Sequence, residues 1–584
     1  MSNNTNEEFV KSTKDEPIQE SDKQGVATPA KKGNWFTRLV GFDPEAKQTN
    51  VRTELIAGVV TFLAMAYILT VNPNQLFGST ASAYWASAFI ATAIGAVIGT
   101  LLMAFFAKMP LAQASGMGLN AMLGGMIAGT SGYGAKFTPG QAFFLVLISG
   151  LVFMLLSVIK INGKTFRELV FDGMPVAVRS AISVGIGLFI AFIGFQNAGI
   201  IVTNGFTQIG FVDFTDWGSQ LIQNGVLPDG KDGFAVAVPF TGEAAKTAAV
   251  AFIGLFLIAI LDKLKVKGSV IFGILGATVV GIPLKVTNLN VLTGSEDGIS
   301  WKFWENFSRF FTAGAPEYEQ VIENGIPQFD PKTGEAIMQE VAGSGSVFGS
   351  FINVFTGEGL IPAGATIFTI IMIVITLCMI DMFDTMGTIV GCCGGNRVLS
   401  DENNKPHNYG KIMIADSVAT CTGAMVGTST VTTFVESGAG VSAGGRTGLT
   451  AFTTACLFFL AMFAMPVFAV IPSAATASAL IYVGVLMMKN NVKNVDFSHA
   501  INATSAFLTI AVMVLSYSIT TGIGVGMISY TVMTAIAYLI DIIKYAIQKK
   551  QGKSVEKPRW EVSVVAIIVA LLFVAYFFVP ATLF

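Results

Sequence analysis

Long apolar runs, separated by polar connections, fill the chain from residue 54 to its C-terminus. Most runs hold about 20 residues, the length that a helix needs to cross a bilayer core of about 30 Å. Seven spans are predicted in the first half, at 54–73, 82–107, 111–128, 139–159, 177–197, 245–262 and 268–284. Seven more are predicted in the second half, at 363–391, 411–427, 429–445, 447–471, 473–489, 502–518 and 521–543. A further apolar segment, 559–582, has no counterpart in the first half.

The third run of each half is short and interrupted by glycine. The first contains Ser115-Gly116-Met117-Gly118-Leu119-Asn120-Ala121, the second contains Ser437-Gly438-Ala439-Gly440-Val441-Ser442-Ala443, and both fit S-G-x-G-x-x-A. The β-branched residues 430–433 favour extended backbone, and the small residues after them allow a helix to begin. Matching interrupted helices in two halves indicate a transporter whose binding site lies at the bilayer midplane.

The composition agrees with a membrane protein. Of the 584 residues, 53% are apolar and 12% are charged, whereas soluble domains carry about 25% charged residues. We therefore predict an all-α polytopic membrane protein. Its predicted parts are a disordered N-terminal tail at 1–34, a first repeat at 35–284, an acidic extracellular insert at 285–362, a second repeat at 363–545, and a basic linker with the extra hydrophobic segment at 546–584.

The distribution of basic residues predicts the orientation. Lysine and arginine concentrate in the connections 160–179, 262–268, 392–411 and 544–559, whereas the loop 198–244 and the insert are acid-rich. By the positive-inside rule, the N-terminus is cytoplasmic and the acidic loops are external. Because each repeat holds an odd number of spans, the second repeat enters the membrane inverted. The charged segment 163–175 is predicted to be a helix along the cytoplasmic interface.

Glu436 stands directly before the second glycine motif, at the predicted change from strand to helix. Such a break places free backbone N–H groups and the positive end of a half-helix at membrane depth. An ionisable group inside the membrane is functional by default. We therefore predict that Glu436 takes up and releases a proton; the alternative is that it only caps the half-helix.

A second acidic cluster lies in span 363–391. Asp381, Asp384 and Thr388 follow i, i+3, i+7 spacing and share one helix face. Carboxyl groups in an apolar span are costly unless they face a cavity or a partner. We predict that Asp384 is functional and Asp381 structural. Asp416, in the next span, is predicted to be a packing partner or a cap.

Three further side chains are notable; two of them have two interpretations each. Asn120 offers a donor and an acceptor from the first half-helix, although a hydrogen bond between core helices explains it nearly as well. Phe434 can stack on a flat ligand, although phenylalanine in an apolar stretch usually packs. Arg446 is expected to extend toward the cytoplasmic surface.

Several classes of function lack support in the sequence. No G-x-x-x-x-G-K-[ST] loop is present, so nucleotide hydrolysis is not the predicted energy source. No nucleophile–base arrangement points to an enzyme. The two histidines lie in polar connections and the five cysteines lie in or beside apolar runs. We therefore predict packed thiols and no metal site or cofactor. A non-transporting receptor has no need of inverted broken helices.

The chain resembles the nucleobase–cation symporter 2 superfamily and, within it, the AzgA-like purine permeases, which include guanine/hypoxanthine permeases. The resemblance covers roughly residues 35–285 and 363–582. It is carried by Gly41-Phe42-Asp43-Pro44, Thr61-Phe62-Leu63-Ala64-Met65-Ala66-Tyr67-Ile68-Leu69, Gly116-Met117-Gly118-Leu119-Asn120-Ala121, Asp384-Thr385-Met386-Gly387-Thr388 and Thr433-Phe434-Val435-Glu436-Ser437-Gly438-Ala439-Gly440.

The resemblance implies a UraA-like fold of two inverted repeats of seven spans. Spans 1–4 and 8–11 would form a core domain, and spans 5–7 and 12–14 a gate domain, with short strands before the two half-helices. A purine would bind between the half-helices and span 8. The substrate-binding positions expected from this match are Asn120, Asp384, Glu436, Phe434, Gly118, Ser437 and Thr388. Glu436 and Asp384 are expected to couple transport to protons, and a homodimer is expected from related transporters.

The predicted function is proton-coupled import of a purine nucleobase, guanine or hypoxanthine, across the cell membrane, without a nucleic-acid partner. Two alternatives stay open. One is an adenine or xanthine permease of the same family; for any of these purines, the sequence does not decide between protons and sodium as the coupling ion. The other is an anion transporter on the same fold, in which half-helix N-termini hold sulfate, bicarbonate or chloride. The two carboxyl groups argue against an anion, because they would repel it.

Overall fold

The computed structural model describes residues 35–578, apart from 46, 79–81, 130–135, 162–163, 166–174, 205–207, 212–241, 267, 294–300, 312–317, 321, 324–325, 328–337, 341–344, 363, 394–395, 401–405, 517, 552–555 and 561. The predicted tail 1–34 and most of the predicted interfacial helix 163–175 lie outside the described residues.

The first half is mainly helical. Its helices are α1 (Trp35–Leu39), α2 (Val51–Met65), α3 (Ile68–Phe77), α4 (Trp85–Leu102) with a π-helical end at Met103–Ala107, α5 (Met117–Ala128), α6 (Pro139–Val158), α7 (Val176–Asn197), α8 (Gly242–Lys263), α9 (Ser269–Gly281) and a 3₁₀ turn at Asn290–Thr293. Its strands are β1 (Gln113–Ser115), β2 (Lys160–Ile161), β3 (Lys164–Thr165), β4 (Ile201–Asn204) and β5 (Gln208–Phe211).

The insert combines short helices and strands. These are α10 (Phe303–Phe310), β6 (Tyr318–Gln320), β7 (Ile322–Glu323), β8 (Ile326–Pro327), β9 (Met338–Glu340), α11 (Val347–Asn353) and a π-helical turn at Val354–Glu358. Strand β6 pairs with β9, and β7 pairs with β8. Helix α11 packs against α4 and α6, so this part of the insert rests on the ends of the membrane helices.

The second half repeats the helical pattern. Its elements are α12 (Ile367–Cys393), α13 (Tyr409–Val426), β10 (Val431–Thr433), α14 (Ser437–Ser442), α15 (Gly448–Met462), α16 (Met465–Ala469), α17 (Ser473–Asn491), a 3₁₀ turn at Val492–Asn494, α18 (Ala500–Leu515), α19 (Ile519–Lys550) and α20 (Val564–Phe578). These bounds follow the predicted spans closely.

The helices carry the length and polarity of membrane spans. Six segments among the described residues are long and apolar enough to cross a membrane by length and composition, and shorter apolar helices lie among the rest. Helix starts follow capping chemistry. Thr138 and Gln141 form a capping box with Pro139 at the first position of α6, which supplies partners for N–H groups that a helix start leaves free.

The strands before the half-helices are present and they pair with each other. β1 and β10 run antiparallel, with Gln113 opposite Thr433, Ala114 opposite Thr432, and Ser115 opposite Val431. Helix α5 begins two residues after β1, and α14 begins four residues after β10. The prediction of two broken half-helices with short strands is therefore confirmed.

The two glycine motifs do not occupy equivalent positions in this arrangement. Ser115 is the last residue of β1, whereas Ser437 is the first residue of α14. Exchange of the two strands superimposes Ser115 on Thr433, four residues before Ser437. The motif pointed to the correct pair of elements, but its alignment is displaced by about one helical turn.

The helix contacts of one repeat are reproduced in the other. The packing of α4 on α15 is matched by that of α13 on α6, and the packing of α2 on α15 by that of α12 on α6. Likewise, α7 packs on α18 as α17 packs on α8. One bundle, which we call the core, holds α2–α6 and α12–α15; the other, the gate, holds α7–α9 and α17–α19. They meet where α7 contacts α5 and α12, where α9 contacts α2, and where α17 contacts α3.

Two segments complete the comparison with the predicted elements. The prediction of a helix at 163–175 is wrong where the segment is described, because Lys164–Thr165 forms a strand that pairs with Lys160–Ile161. The β-branched Ile161 and Thr165 favour this extended backbone. Helix α20 packs along α19. Its Trp560 end meets Tyr538 and Phe573 lies against Gly524, so α20 runs antiparallel to α19.

Candidate functional site

The N-terminal ends of both half-helices meet at a buried contact between Tyr67 and Glu436. Glu436 immediately precedes α14, and Met117 is the first residue of α5. The Tyr67 hydroxyl donates a hydrogen bond of 2.5 Å to Glu436 Oε1 and lies 3.7 Å from Met117 Sδ. Elements from both repeats therefore converge on the carboxyl group that the sequence singled out.

Tyr67 is placed there by a break in the first span. Helix α2 ends at Met65 and α3 begins at Ile68. At the break, the chain tightens to three-residue hydrogen bonds, from the Leu69 N–H to the Ala66 carbonyl (3.2 Å) and from the Thr70 N–H to the Tyr67 carbonyl (3.1 Å). Pro73, one turn further on, has no N–H to offer the carbonyl four residues before it. The sequence analysis gave Tyr67 no role of its own.

Glu436 does not cap its own helix with its side chain. It is 7% exposed and makes no side-chain capping hydrogen bond to α14. Its second oxygen, Oε2, is buried and has no hydrogen-bond partner in the described part of the chain. The capping interpretation is therefore wrong. The group instead has one oxygen held by tyrosine and one available to a ligand or proton.

Asp384 lies beside this contact on α12. Its carboxyl is close enough to Glu436 and to Asp381 for the charges to interact, and close enough to affect Tyr67. The side chain is half-buried, and among the described residues we find no hydrogen-bond partner for it. Asp384 and Glu436 thus form a pair of neighbouring acids between α12 and the two half-helices.

Asp416 joins the crossing strands to α12. Its Oδ1 accepts a hydrogen bond of 2.8 Å from Gln113 Nε2 and a longer one of 3.4 Å from the Thr433 hydroxyl. Its Oδ2 accepts one of 2.7 Å from the Thr385 hydroxyl. The sequence analysis expected a packing partner or cap, and the structure gives this carboxyl a place at the centre of the crossing. Asp381 accepts a hydrogen bond from Thr420, in keeping with a structural role.

The first repeat has a matching polar network without a carboxyl group. Asn72 Nδ2 lies within hydrogen-bond distance of the hydroxyls of Thr92 (2.7 Å), Thr428 (2.9 Å) and Ser115 (3.3 Å). The Ser115 and Thr428 hydroxyls are themselves 2.7 Å apart. Each side of the strand crossing is thus fixed by buried hydrogen bonds between three or more elements, which disfavours independent movement of these elements.

The predicted residues of the first half-helix face in different directions. The Asn120 side chain is fully buried and accepts a hydrogen bond from the Ser429 hydroxyl, while its Nδ2 has no partner in the described part of the chain. A Cβ at Gly118 would meet Ile186 of α7 and Ile519 of α19, each at 3.4 Å. Gly118 therefore faces the gate, whereas Asn120 faces the strand crossing.

The predicted residues of the second repeat also divide into groups. Ser437 is buried, and its hydroxyl bonds to both the N–H and the carbonyl of Ala112, at 3.0 and 3.3 Å. Phe434 is buried in the core, and its N–H donates to the Ala112 carbonyl. Thr388 is buried on α12, one turn after Asp384. Ser437 and Phe434 thus fasten α14 to the chain preceding β1.

Arg446 has defined partners. It is half-buried, and its guanidinium donates to the carbonyls of Val441 (2.6 Å) and Gly445 (2.7 Å) at the end of α14. A cation is favourable at the negative end of a helix, which explains the arrangement. The backbone N–H of Arg446 donates to Glu54, a fully buried acid of α2 that also accepts from the Thr450 hydroxyl. The sequence analysis did not identify Glu54.

The thiol groups and possible metal ligands are separate from this site. Four of the five free cysteines are buried, and Cys456 is exposed on α15. Among the described residues, no group of three His, Cys, Asp or Glu side chains could hold a metal ion.

Two inverted repeats of apolar helices, with the ends of two half-helices beside a pair of neighbouring acids, define a multi-pass membrane transporter. The chain belongs to the Permease family, whose sequence profile matches residues 52–218 and 336–525.

Individual relatives agree over most of their length. The guanine/hypoxanthine permease PbuO of Bacillus subtilis is 32% identical over 85% of this chain and 94% of its own. The adenine permease AdeP of Escherichia coli is 31% identical over 83% of this chain and 87% of its own. Among solved structures, the transmembrane domain of the cyanobacterial bicarbonate transporter BicA aligns at 16% identity with a TM-score of 0.48, covering 81% of this chain and 97% of that one.

Proposed function

We propose that this chain is a secondary active transporter that imports purine nucleobases, with guanine and hypoxanthine as the preferred substrates, by symport with protons. The observation that carries the proposal is the position of Glu436. Its carboxyl lies where the two half-helices meet, with one oxygen bound to Tyr67 and the other without a partner in the described part of the chain.

The site suits a flat heterocycle with alternating donors and acceptors. Asp384 and Glu436 can accept hydrogen bonds from ring N–H groups, and the N–H groups at the start of α5 can donate to ring nitrogen or carbonyl oxygen. The first N–H groups of α14 already donate to the carbonyls of Phe434, Val435 and Glu436. A site built from buried polar groups rejects a ligand whose edge leaves them unpaired. In this proposal Gly118 keeps the gate-facing side of α5 narrow, and Thr388 borders Asp384.

Asn120, Ser437 and Phe434 take supporting roles in the proposal. The hydroxyl of Ser437 is already bonded to Ala112, and Asn120 is bonded to Ser429. We therefore assign Ser437 and Phe434 to holding α14 in place. Asn120 keeps its Nδ2 as a possible donor to substrate.

The pair of neighbouring carboxyl groups supports the proposal of proton coupling. Two neighbouring acids cannot both be ionised cheaply in a low-dielectric site, so one proton shared between them stabilises the site. Loss of that proton, or of a substrate N–H group that donates to the pair, would leave two carboxylates that repel each other. We propose that purine and proton bind together for this reason, with Glu436 as the group that exchanges the proton and Asp384 as its neighbour.

The choice of purine rests on the named relatives. PbuO is a guanine/hypoxanthine permease and AdeP an adenine permease, at nearly the same identity to this chain. Adenine therefore remains the principal alternative substrate, and guanine and hypoxanthine are our proposal. An anion such as bicarbonate is disfavoured, because Asp384 and Glu436 together would repel it. We further propose a plasma-membrane location with a cytoplasmic N-terminus, and assembly as a homodimer.

Proteoliposomes test substrate and coupling together. With an inwardly directed proton gradient, we expect accumulation of radiolabelled hypoxanthine above equilibrium, and collapse of that accumulation by a protonophore. Competition with unlabelled guanine, adenine and xanthine ranks the substrates. Accumulation driven by a sodium gradient alone would overturn the proton assignment, and stronger competition by adenine than by guanine would overturn the substrate assignment.

A further inference from the structure

The last helix of the second repeat is longer than the membrane is thick. Helix α19 runs for 32 residues, from Ile519 to Lys550, which is about 48 Å against a hydrocarbon core of about 30 Å. Near its middle, the rings of Tyr538 and Trp560 meet edge to face at 5.0 Å. Aromatic rings of this kind concentrate at the membrane–water boundary. The end of α19 that follows them therefore begins at the headgroup layer and extends beyond it, on the side predicted to be cytoplasmic.

This end of α19 and Lys557 border an open recess of about 530 Å³. We call it the lysine recess. Its lining residues are Ile542, Tyr545, Ala546, Lys549, Lys550 and Lys557. The surface that lines the recess is mainly apolar, and the side chains of three lysines border it. A chain that continued away from α19 would not form this recess; it exists because α20 returns antiparallel along α19.

The three lysines have no anionic partner in the described part of the chain. The nearest acid on the helix, Asp541, is 3.5 Å from Lys544 and is paired with it. Glu556 and Arg559 are both exposed in the linker, on either side of Lys557 in the sequence. Lys549 Nζ lies 5.7 Å from the centre of the Tyr545 ring, a distance at which the ring face attracts a cation. The recess thus carries an excess of positive charge.

We propose that the lysine recess binds the headgroup of an anionic phospholipid. The phosphate would lie among Lys549, Lys550 and Lys557, and an acyl chain would follow Ile542 and Ala546 toward the membrane. Basic residues near a membrane surface attract anionic lipid. The apolar surface of this recess can also contact an acyl chain, which a soluble anion does not have. The bound lipid would connect α19 of the gate to the linker before α20.

The test uses the full chain purified in detergent and phosphatidylglycerol as the probe. Native mass spectrometry measures the fraction of protein that retains the lipid over a concentration series, with phosphatidylcholine as the zwitterionic comparison. For the triple variant Lys549→Gln, Lys550→Gln, Lys557→Gln we expect the apparent affinity for phosphatidylglycerol to fall about tenfold or more. Phosphatidylcholine binding should not change. The matched control is Lys263→Gln, Lys265→Gln, Lys411→Gln, which removes the same charge from exposed lysines elsewhere on the predicted cytoplasmic side.

Three outcomes would overturn the proposal. An equal loss in the control variant would mean that overall charge, rather than a built recess, attracts the lipid. Unchanged retention in the recess variant would mean that the lipid binds elsewhere. Displacement of the lipid by glycerol 1-phosphate at comparable concentration would mean that the recess binds a soluble anion. A second variant, Ile542→Ser with Ala546→Ser, keeps the charge. We expect it to weaken the binding of phosphatidylglycerol and to leave any binding of glycerol 1-phosphate unchanged.

Discussion

Tyr67 and Glu436 are 369 positions apart in the sequence and are joined by a hydrogen bond of 2.5 Å in the interior of the protein. The tyrosine comes from the break in the first span, and the acid from the start of the second half-helix. The contact therefore joins the two inverted repeats at the point where the half-helix ends meet. A change in the protonation or ligation of Glu436 therefore acts directly on the first span, through the hydrogen bond to Tyr67.

Removal of the Tyr67 hydroxyl should impair transport without unfolding the protein. In Tyr67→Phe, Glu436 loses a donor, and a hydrogen bond to a charged group is worth about 1.5–3 kcal/mol. We expect the initial rate of purine uptake to fall about tenfold or more, with a changed dependence on external pH. The measurement is uptake over a pH series at matched protein levels. The control is Tyr538→Phe, whose ring remains against Trp560. Unaltered rates and pH profile in Tyr67→Phe would contradict a coupling role.

Replacement of Glu436 by glutamine should separate binding from accumulation. The amide keeps the shape of the side chain but cannot release a proton in the relevant range, so we expect no accumulation against a gradient while exchange of internal for external purine persists. The measurement compares gradient-driven uptake with counterflow in proteoliposomes. Glu54→Gln is the matched control, because Glu54 is an equally buried acid that binds the backbone of Arg446. It should lower the yield of folded protein, while the folded fraction still accumulates purine. If Glu436→Gln concentrates purine, the role assigned to Glu436 is wrong.

Replacement of Asp384 in α12 and replacement of Asp416 in α13 should affect the thermal unfolding of the protein differently. Asp416 accepts hydrogen bonds from Gln113, Thr385 and Thr433, and an asparagine there removes the charge and replaces one accepting oxygen by a donor, so at least one of these bonds is lost or must reverse. A mispaired buried polar group costs about 1–3 kcal/mol, so Asp416→Asn should lower the unfolding midpoint in detergent and keep the stabilisation by hypoxanthine. Asp384→Asn should keep the midpoint and lose that stabilisation. The opposite pattern would exchange the structural and functional assignments.

Two glycines of the same half-helix should respond differently to alanine. A Cβ at Gly440 would lie 2.0 Å from Thr61 Oγ1 and 2.9 Å from the Ala57 carbonyl oxygen, whereas a Cβ at Gly438 would meet only Cys392 Sγ, at 3.6 Å. Overpacking of this kind typically costs about 1–3 kcal/mol. We expect Gly440→Ala to lower the unfolding midpoint clearly and Gly438→Ala to leave it nearly unchanged. Equal midpoints would show that α14 is free to move away from α2.

The sequence by itself determined the spans, their division into two halves and the place of the two half-helices. These features depend on local properties: the length of an apolar run, the β-branched residues that favour a strand, and the small residues that follow it. For the same reason, the importance of Glu436 and Asp384 could be inferred, because an acid within an apolar run is conspicuous wherever it folds.

Only the tertiary structure decided the partners of these groups. Tyr67, Glu54 and the role of Asp416 were missed because their hydrogen bonds join residues hundreds of positions apart, as between Gln113 and Asp416. The tertiary structure also determines the offset between the two glycine motifs and the hydrogen bond from the Arg446 guanidinium to the Val441 carbonyl near the end of α14. Burial requires each polar group to find a partner. Which partner it finds depends on how the two repeats cross, and a linear pattern of residues does not contain that information.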